Sequence, residues 1–203
     1  MSSMEESTVV VAELSAKIGA RVRQLRAAGR MSLDALAARS AVSRSMISLI
    51  ERGESSASAV VLDKVATGLG VPLAALFDDS SAARSPVSRG IDRRTWRDPE
   101  TGYTRRNISP PNFPSPLEIV DVELPPGARV AYETAARAVT LHQQIWVREG
   151  SIEVTVGEAT HKLDADDCLA MRLDVPTAFR NRTRKPARYV VVIASERMRA
   201  ARN

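Results

Sequence analysis

The stretch Met31-Ser32-Leu33-Asp34-Ala35-Leu36-Ala37-Ala38-Arg39-Ser40-Ala41-Val42-Ser43-Arg44-Ser45-Met46-Ile47-Ser48-Leu49-Ile50-Glu51-Arg52-Gly53 decides how the first part of this chain folds. Leu33, Leu36 and Ala37 recur at the spacing of one helical face, and Met46, Ile47 and Ile50 do so again. Ser32 and Ser43 each stand just before one of these runs, where a serine hydroxyl can accept a free amide of the first helical turn. Ala37 is small, so a second helix can cross it closely. Ser40-Ala41-Val42 reads as a short turn with Val42 as a buried hinge. The second helix buries Ile47 and Ile50 and turns Arg44, Ser45, Ser48, Leu49 and Arg52 outward. A short helix with a polar and basic N-terminal end is what reading a DNA major groove requires.

The same period extends to both sides. Leu14, Ile18, Val22 and Leu25 form a run closed by Gly29, and Val60, Val61, Leu62, Val65 and Leu69 form one that follows Ser58 and is closed by Gly70. Pro72 opens a last short turn through Leu76 and Phe77. The spacing predicts five helices and a small all-α domain over 12–78. The segment 79–97 is polar and aperiodic at its start, and reads as a linker. Beyond it prolines cluster at Pro110, Pro111, Pro114, Pro116, Pro125 and Pro126, which rules out long helices. Alternation then predicts strands at 117–124, 145–147, 152–156, 168–173 and 189–193. Short strands at such intervals indicate an all-β barrel or sandwich over 98–196. The fold class is therefore multidomain α + β.

Composition bounds the function. The 203 residues suit one large domain or two small ones, and 44% apolar residues suffice for packed cores. Lys and Arg number 29 against 24 Asp and Glu, a net charge of +5 that permits a nucleic-acid partner. Lys17, Arg21, Arg23, Arg26 and Arg30 form a basic run with no acid among them. Cys168 is the single cysteine, which excludes an intramolecular disulfide and a cysteine-rich zinc site. Cys168 lies in an apolar strand and is expected in the core. No apolar run is long enough to span a membrane, and Glu5 and Glu6 do not suit a signal peptide, so a cytoplasmic protein is expected.

The N-terminal segment, about residues 14–78, resembles the DNA-binding domain of the phage-repressor-like, xenobiotic-response-element-type transcriptional regulators. The match runs through Val42-Ser43-Arg44-Ser45, Ile50-Glu51-Arg52-Gly53 and Leu69-Gly70-Val71. The resemblance implies that Arg44, Ser45, Ser48 and Leu49 face base edges. It places Ser43, Arg52 and the backbone N–H of Leu33 at phosphates. It also implies a buried ion pair between Arg26 and Glu51.

Residues 115–195 resemble the cupin domain that follows such helix-turn-helix domains in many bacterial regulators. The matching pieces are Leu124-Pro125-Pro126-Gly127, Gln143 to Gly150, Leu163 to Asp167 and Val175 to Asn181. In metal-binding cupins the first motif supplies two histidines and a glutamate, and the second a histidine. Here Tyr132 to Arg137 contains no histidine, the glutamate position falls on Gln143, and the second histidine position falls on Thr177. Neutral amide and hydroxyl groups are poor ligands for a divalent first-row metal. No metal and no cofactor are expected. His142 adjoins Gln143 and by alternation points to the other face. Thr177, Phe179 and Asn181 share a strand face. A ligand pocket organised by Gln143, Arg172, Thr177, Phe179 and Asn181 follows, with Arg172 either turned inward to hold an anion or outward to solvent.

The resulting expectation is a sequence-specific DNA-binding regulator and not an enzyme. It would act as a homodimer on double-stranded DNA, with a cupin-like domain that senses a small molecule, joins the subunits, or both. The alternatives are a metal-dependent cupin enzyme tethered to DNA and a ligand-free dimerising barrel.

Overall fold

The computed structural model describes residues 2–77, 85–111, 113–133 and 140–196, with side chains from Ala12 to Ser195. Most of the stretch after Tyr132 read for the first cupin motif, residues 134–137, therefore lies outside the described residues, as does 78–84 of the expected linker.

Four α-helices come first: α1 (Ser2–Ala28), α2 (Leu33–Ser40), α3 (Arg44–Glu51) and α4 (Ala59–Leu69). The expected fifth helix is a 3₁₀ turn, Leu73–Phe77, in which the Ala75 amide reaches back three residues to the Pro72 carbonyl at 3.0 Å. Five residues behind a proline are too few to build the longer α ladder. Helix α1 also begins well before Leu14, where the apolar period starts.

The serine caps work at two of three sites. Ser32 Oγ accepts from Ala35 N at 3.0 Å, and Ser43 Oγ accepts from Met46 N at 3.2 Å. Ser58 caps nothing with its side chain, and its hydroxyl is buried without a partner. Ile18, Val22, Leu36, Ile47, Ile50, Leu62, Val65 and Leu76 form the helical core. Gly19 lets α1 cross α3 closely, because a Cβ there would fall on the Ile50 carbonyl oxygen. Ala41 joins α2 to α3 with a left-handed φ of 53°, a conformation that a non-glycine residue adopts at a cost.

Ten strands follow: β1 (Trp96–Arg97), β2 (Thr104–Asn107), β3 (Leu117–Leu124), β4 (Arg129–Tyr132), β5 (Thr140–Glu149), β6 (Ser151–Val156), β7 (Ala159–Asp164), β8 (Cys168–Arg172), β9 (Thr177–Arg180) and β10 (Ala187–Glu196). They form a six-stranded sheet, β1-β2-β3-β10-β5-β8, and a four-stranded sheet, β4-β9-β6-β7. The two sheets are not hydrogen-bonded into a closed barrel. Alternation puts Val120, Val122 and Leu124 of β3, Leu141, Gln143, Ile145 and Val147 of β5, and Ile152 and Val154 of β6 into the core between them. Trp96 and Arg97, expected in the linker, pair with Arg105 and Thr104 as an edge strand.

The helical and β-rich parts are joined by more than chain. Asp98 is 2% exposed, and its Oδ1 accepts the first amide of α4, Ala59 N, at 2.8 Å. Its Oδ2 accepts from Thr101 N at 2.8 Å and Thr101 Oγ1 at 2.5 Å. The missing cap of α4 is thus supplied from the loop after β1, and a carboxylate at a helix N-terminus is favoured by the helix dipole. Beside it Phe77 packs on Trp96 with ring centroids 5.3 Å apart, and Trp96 meets Tyr103 edge-on at 5.7 Å. Asn107 Nδ2 donates to the Ala74 carbonyl at 3.2 Å, and Lys64 pairs with Glu133 at 2.7 Å.

Candidate functional site

Helix α3 presents two unlike faces. Ile47 and Ile50 are buried, Arg44 and Ser45 are exposed, and Ser48 and Leu49 are half-buried. Ser43, at the N-cap, has its hydroxyl 3.2 Å from that of Ser45. Arg44 lies 3.4 Å from Asp34 in a surface pair that water screens. Arg52, just past α3, is more occupied. It donates to both carboxylate oxygens of Glu54 at 2.8 Å and to Ser48 Oγ at 2.5 Å. Those bonds raise the arginine's pKa and lower that of Glu54. Glu54 thus offsets the Arg52 charge at the surface and uses two of its N–H donors. Leu33 opens α2, where the first-turn amides point outward.

The position of α3 is set from behind by Glu51. Its side chain is 5% exposed and receives Arg26 Nε at 2.6 Å and Nη2 at 2.8 Å, while Arg26 Nη1 donates to the Met31 carbonyl at 2.9 Å. Arg23 adds a bond to the Glu51 carbonyl at 3.2 Å. Arg21 donates to the Ala75 carbonyl at 3.0 Å. Arg21, Arg23 and Arg26 of the basic run are therefore committed to holding α1 against α3 and the 3₁₀ turn.

The second site is a cavity of about 80 Å³ between the sheets. Gln143, Thr177 and Phe179 line it, as do Val120, Val122, Val191 and Ile193. Gln143 and Thr177 are 7% and 5% exposed. Arg172 does not take part: it is exposed and pairs outward with Asp174 at 2.6 Å. In β8 it alternates away from Met171, so its inward orientation is excluded. Asn181 is fully buried but tied up structurally. It donates to the carbonyls of Leu124 and Lys185 at 3.0 and 2.8 Å and accepts from Thr183 N at 2.9 Å. It does not line the cavity. Cys168 is exposed, contrary to its expected place in the core, because it shares the outer sheet face with Ala170 and Arg172. His142 points outward, opposite Gln143.

Sequence reasoning missed the most polar part of the cavity. Tyr103, Arg105 and Tyr132 line it, with the two hydroxyls 3.2 Å apart. Arg105 is 8% exposed, and its guanidinium lies 5.0 Å from the Phe77 ring. Burial pushes the Tyr132 phenol well up, and those of Tyr103 and Tyr189 up as well. Asp63, Pro72 and Leu73, from the helical domain, close one side. Nothing in the short polar strand Thr104–Asn107 marks its second residue as buried, since an arginine in such a setting reads as solvated.

The cavity's inward donors do not fit the metal that many cupins hold. Gln143 and Thr177 are neutral, the cation Arg105 lies in the same wall, and the two carboxylates of the lining, Asp63 and Glu133, are engaged elsewhere. Among the described residues no three His, Cys, Asp or Glu side chains converge on one point. Nor is any helix among them long and apolar enough to cross a membrane.

The helix-turn-helix domain family matches residues 17–77 and the cupin domain family matches residues 120–193. An uncharacterized transcriptional regulator in the ATPase CF(0) region of Rhodospirillum rubrum is 36% identical over 92 residues, covering 45% of this chain and 84% of that protein. The crystal structure of an HTH_3 family transcriptional regulator from Vibrio cholerae superposes with a TM-score of 0.74 at 25% identity, covering 92% of this chain and 99% of that one.

Proposed function

This chain belongs to the helix-turn-helix transcriptional regulators that carry a cupin domain, and from that premise we propose how its two sites divide the work. Helix α3 enters the major groove, where Arg44, Ser45, Ser48 and Leu49 meet base edges. Ser43, Arg52 and the Leu33 amide meet phosphates. A homodimer places two such helices in successive major grooves, about 34 Å apart. The cupin domain, 98–196, binds a small molecule without transforming it, and the helical domain, 12–78, answers. The protein works in the cytoplasm.

The observation that carries this reading is the two-faced α3, whose apolar side is locked in the core while Arg44 and Ser45 are exposed to solvent. The sensing role is supported by the composition of the cavity wall. Asp63, Pro72 and Leu73 belong to the DNA-binding domain yet close a cavity in the other one. A ligand there can shift DNA affinity only by binding differently to the two domain arrangements, and this wall is where such a difference can arise. Selection of bound fragments from genomic DNA, followed by footprinting, tests the reading. A protected pair of half-sites is the expected result. Protein that retards DNA with no sequence preference at any salt concentration overturns it.

A further inference from the structure

Resting on the reading of the cavity as an effector site, we propose that its ligand is a small organic anion, a monocarboxylate with a short apolar tail, gripped by Arg105. Arg105 is more than nine-tenths buried, and its Nε and Nη2 atoms are buried with no hydrogen-bond partner. Among the described residues no carboxylate forms an ion pair with it. The acids near the cavity are otherwise engaged: Glu133 pairs with Lys64 at 2.7 Å, and Asp63 has an interaction of its own. A permanent charge buried with unused donors is costly, and removing that cost requires an anion.

The surroundings define the anion further. One guanidinium supplies one positive charge, which suits a monocarboxylate and leaves a phosphate dianion undercompensated. Arginine offers two parallel N–H bonds to a carboxylate. The phenols of Tyr103 and Tyr132 are protonated at neutral pH, and since one hydroxyl of the pair donates to the other, the pair presents one remaining O–H to it. The remaining walls are Val120, Val122, Leu141, Val191 and Ile193, which require an apolar tail. The volume, about 80 Å³, limits its length. A cavity of about 150 Å³ accommodates benzene, so only a short chain enters without displacing Pro72 and Leu73. Arg105 also stacks on Phe77 of the 3₁₀ turn, so a carboxylate that draws the guanidinium inward acts on the DNA-binding domain directly.

The test uses the full chain and three probes: propionate, its neutral isostere propionamide, and inorganic phosphate. Thermal unfolding and calorimetric titration are the readouts. Propionate is expected to raise the unfolding temperature by about 5–10 °C at a hundredfold excess over its Kd. Propionamide and phosphate are expected to do nothing. Arg105→Met is expected to bind propionate at least about thirtyfold more weakly. The same variant should melt above the parent in the absence of ligand, because the unpaired charge is gone. Equal response to propionate and propionamide overturns the anion assignment and leaves the effector reading standing. Undiminished propionate binding by folded Arg105→Met overturns Arg105 as the anchor. No response to any probe overturns the inference. If the cavity-filling variant Val191→Phe then also binds DNA like the parent, the effector reading falls with it.

Discussion

The Oδ1 atom of Asp98 accepts the backbone N–H of Ala59 at 2.8 Å, so the β-rich domain caps a helix of the DNA-binding domain. Ser58, in the capping position by sequence, leaves its own hydroxyl unused. The two domains consequently share one element of secondary-structure stability. Asp98→Ala is expected to remove about 1–3 kcal/mol, the range for a charge-assisted bond to a buried amide. Calorimetry should show the single transition of the parent separating into two. A variant that melts as one unit at the parent temperature means that the aromatic seam of Phe77, Trp96 and Tyr103, with the Asn107–Ala74 and Lys64–Glu133 contacts, suffices to join the domains.

Arg26→Ala should be far more damaging than its position on α1 suggests. Glu51 is nearly buried and keeps only a distant partner, Arg23, whose Nε is 3.7 Å away. Stranding a buried charge costs about 3–5 kcal/mol, and Arg23 offsets part of that. Chemical denaturation of the N-terminal domain measures the loss. Replacing both residues, Arg26→Met with Glu51→Leu, should recover most of it.

Arg44→Ala should leave the fold intact and weaken specific DNA binding by about 1–3 kcal/mol, the discrimination of a good bidentate base contact. Its pair with Asp34 is solvent-exposed, so little stability is lost. Titration at fixed salt against a selected site and a scrambled one checks this. Equal losses on both would make Arg44 a phosphate contact.

Glu54→Gln should tighten DNA binding. Arg52 is held by Glu54 in the free protein, and removing the carboxylate frees it for a phosphate. The plot of log affinity against log salt should steepen by about one unit per subunit. An unchanged slope would place Arg52 off the backbone.

The three tyrosines of the chain all line the cavity. Burial raises all three phenols above their usual 10.0. For an acid whose folded pKa is raised, the stabilisation is complete below the unfolded pKa and is lost as pH rises above it. The unfolded chain releases protons first, so stability should fall above about pH 10 by as much as about 4 kcal/mol per pH unit. Phenolate absorbance should therefore appear together with unfolding. Titration of any tyrosine at pH 10 in folded protein would show that the cavity is open to water.

The sequence by itself determined the helix-turn-helix. Its information is local: serines at caps, apolar residues on one face, a short turn. Each of those needs only its neighbours in the chain. The Arg26–Glu51 pair, expected from family likeness, also stands in the structure. The strands were legible where one face is apolar, as in Leu117–Leu124 and Ser151–Val156, and unreadable where they are short and polar, as in β2. Tertiary structure alone decided the chemistry of the cavity. Whether Arg172 or Arg105 faces inward depends on strand register and on which sheet edge the helical domain covers, and neither leaves a trace in local composition. The same holds for Asp98, whose partner amide lies 39 residues away. Propensity acts over a turn or a pleat, whereas a buried charge is placed by everything packed around it.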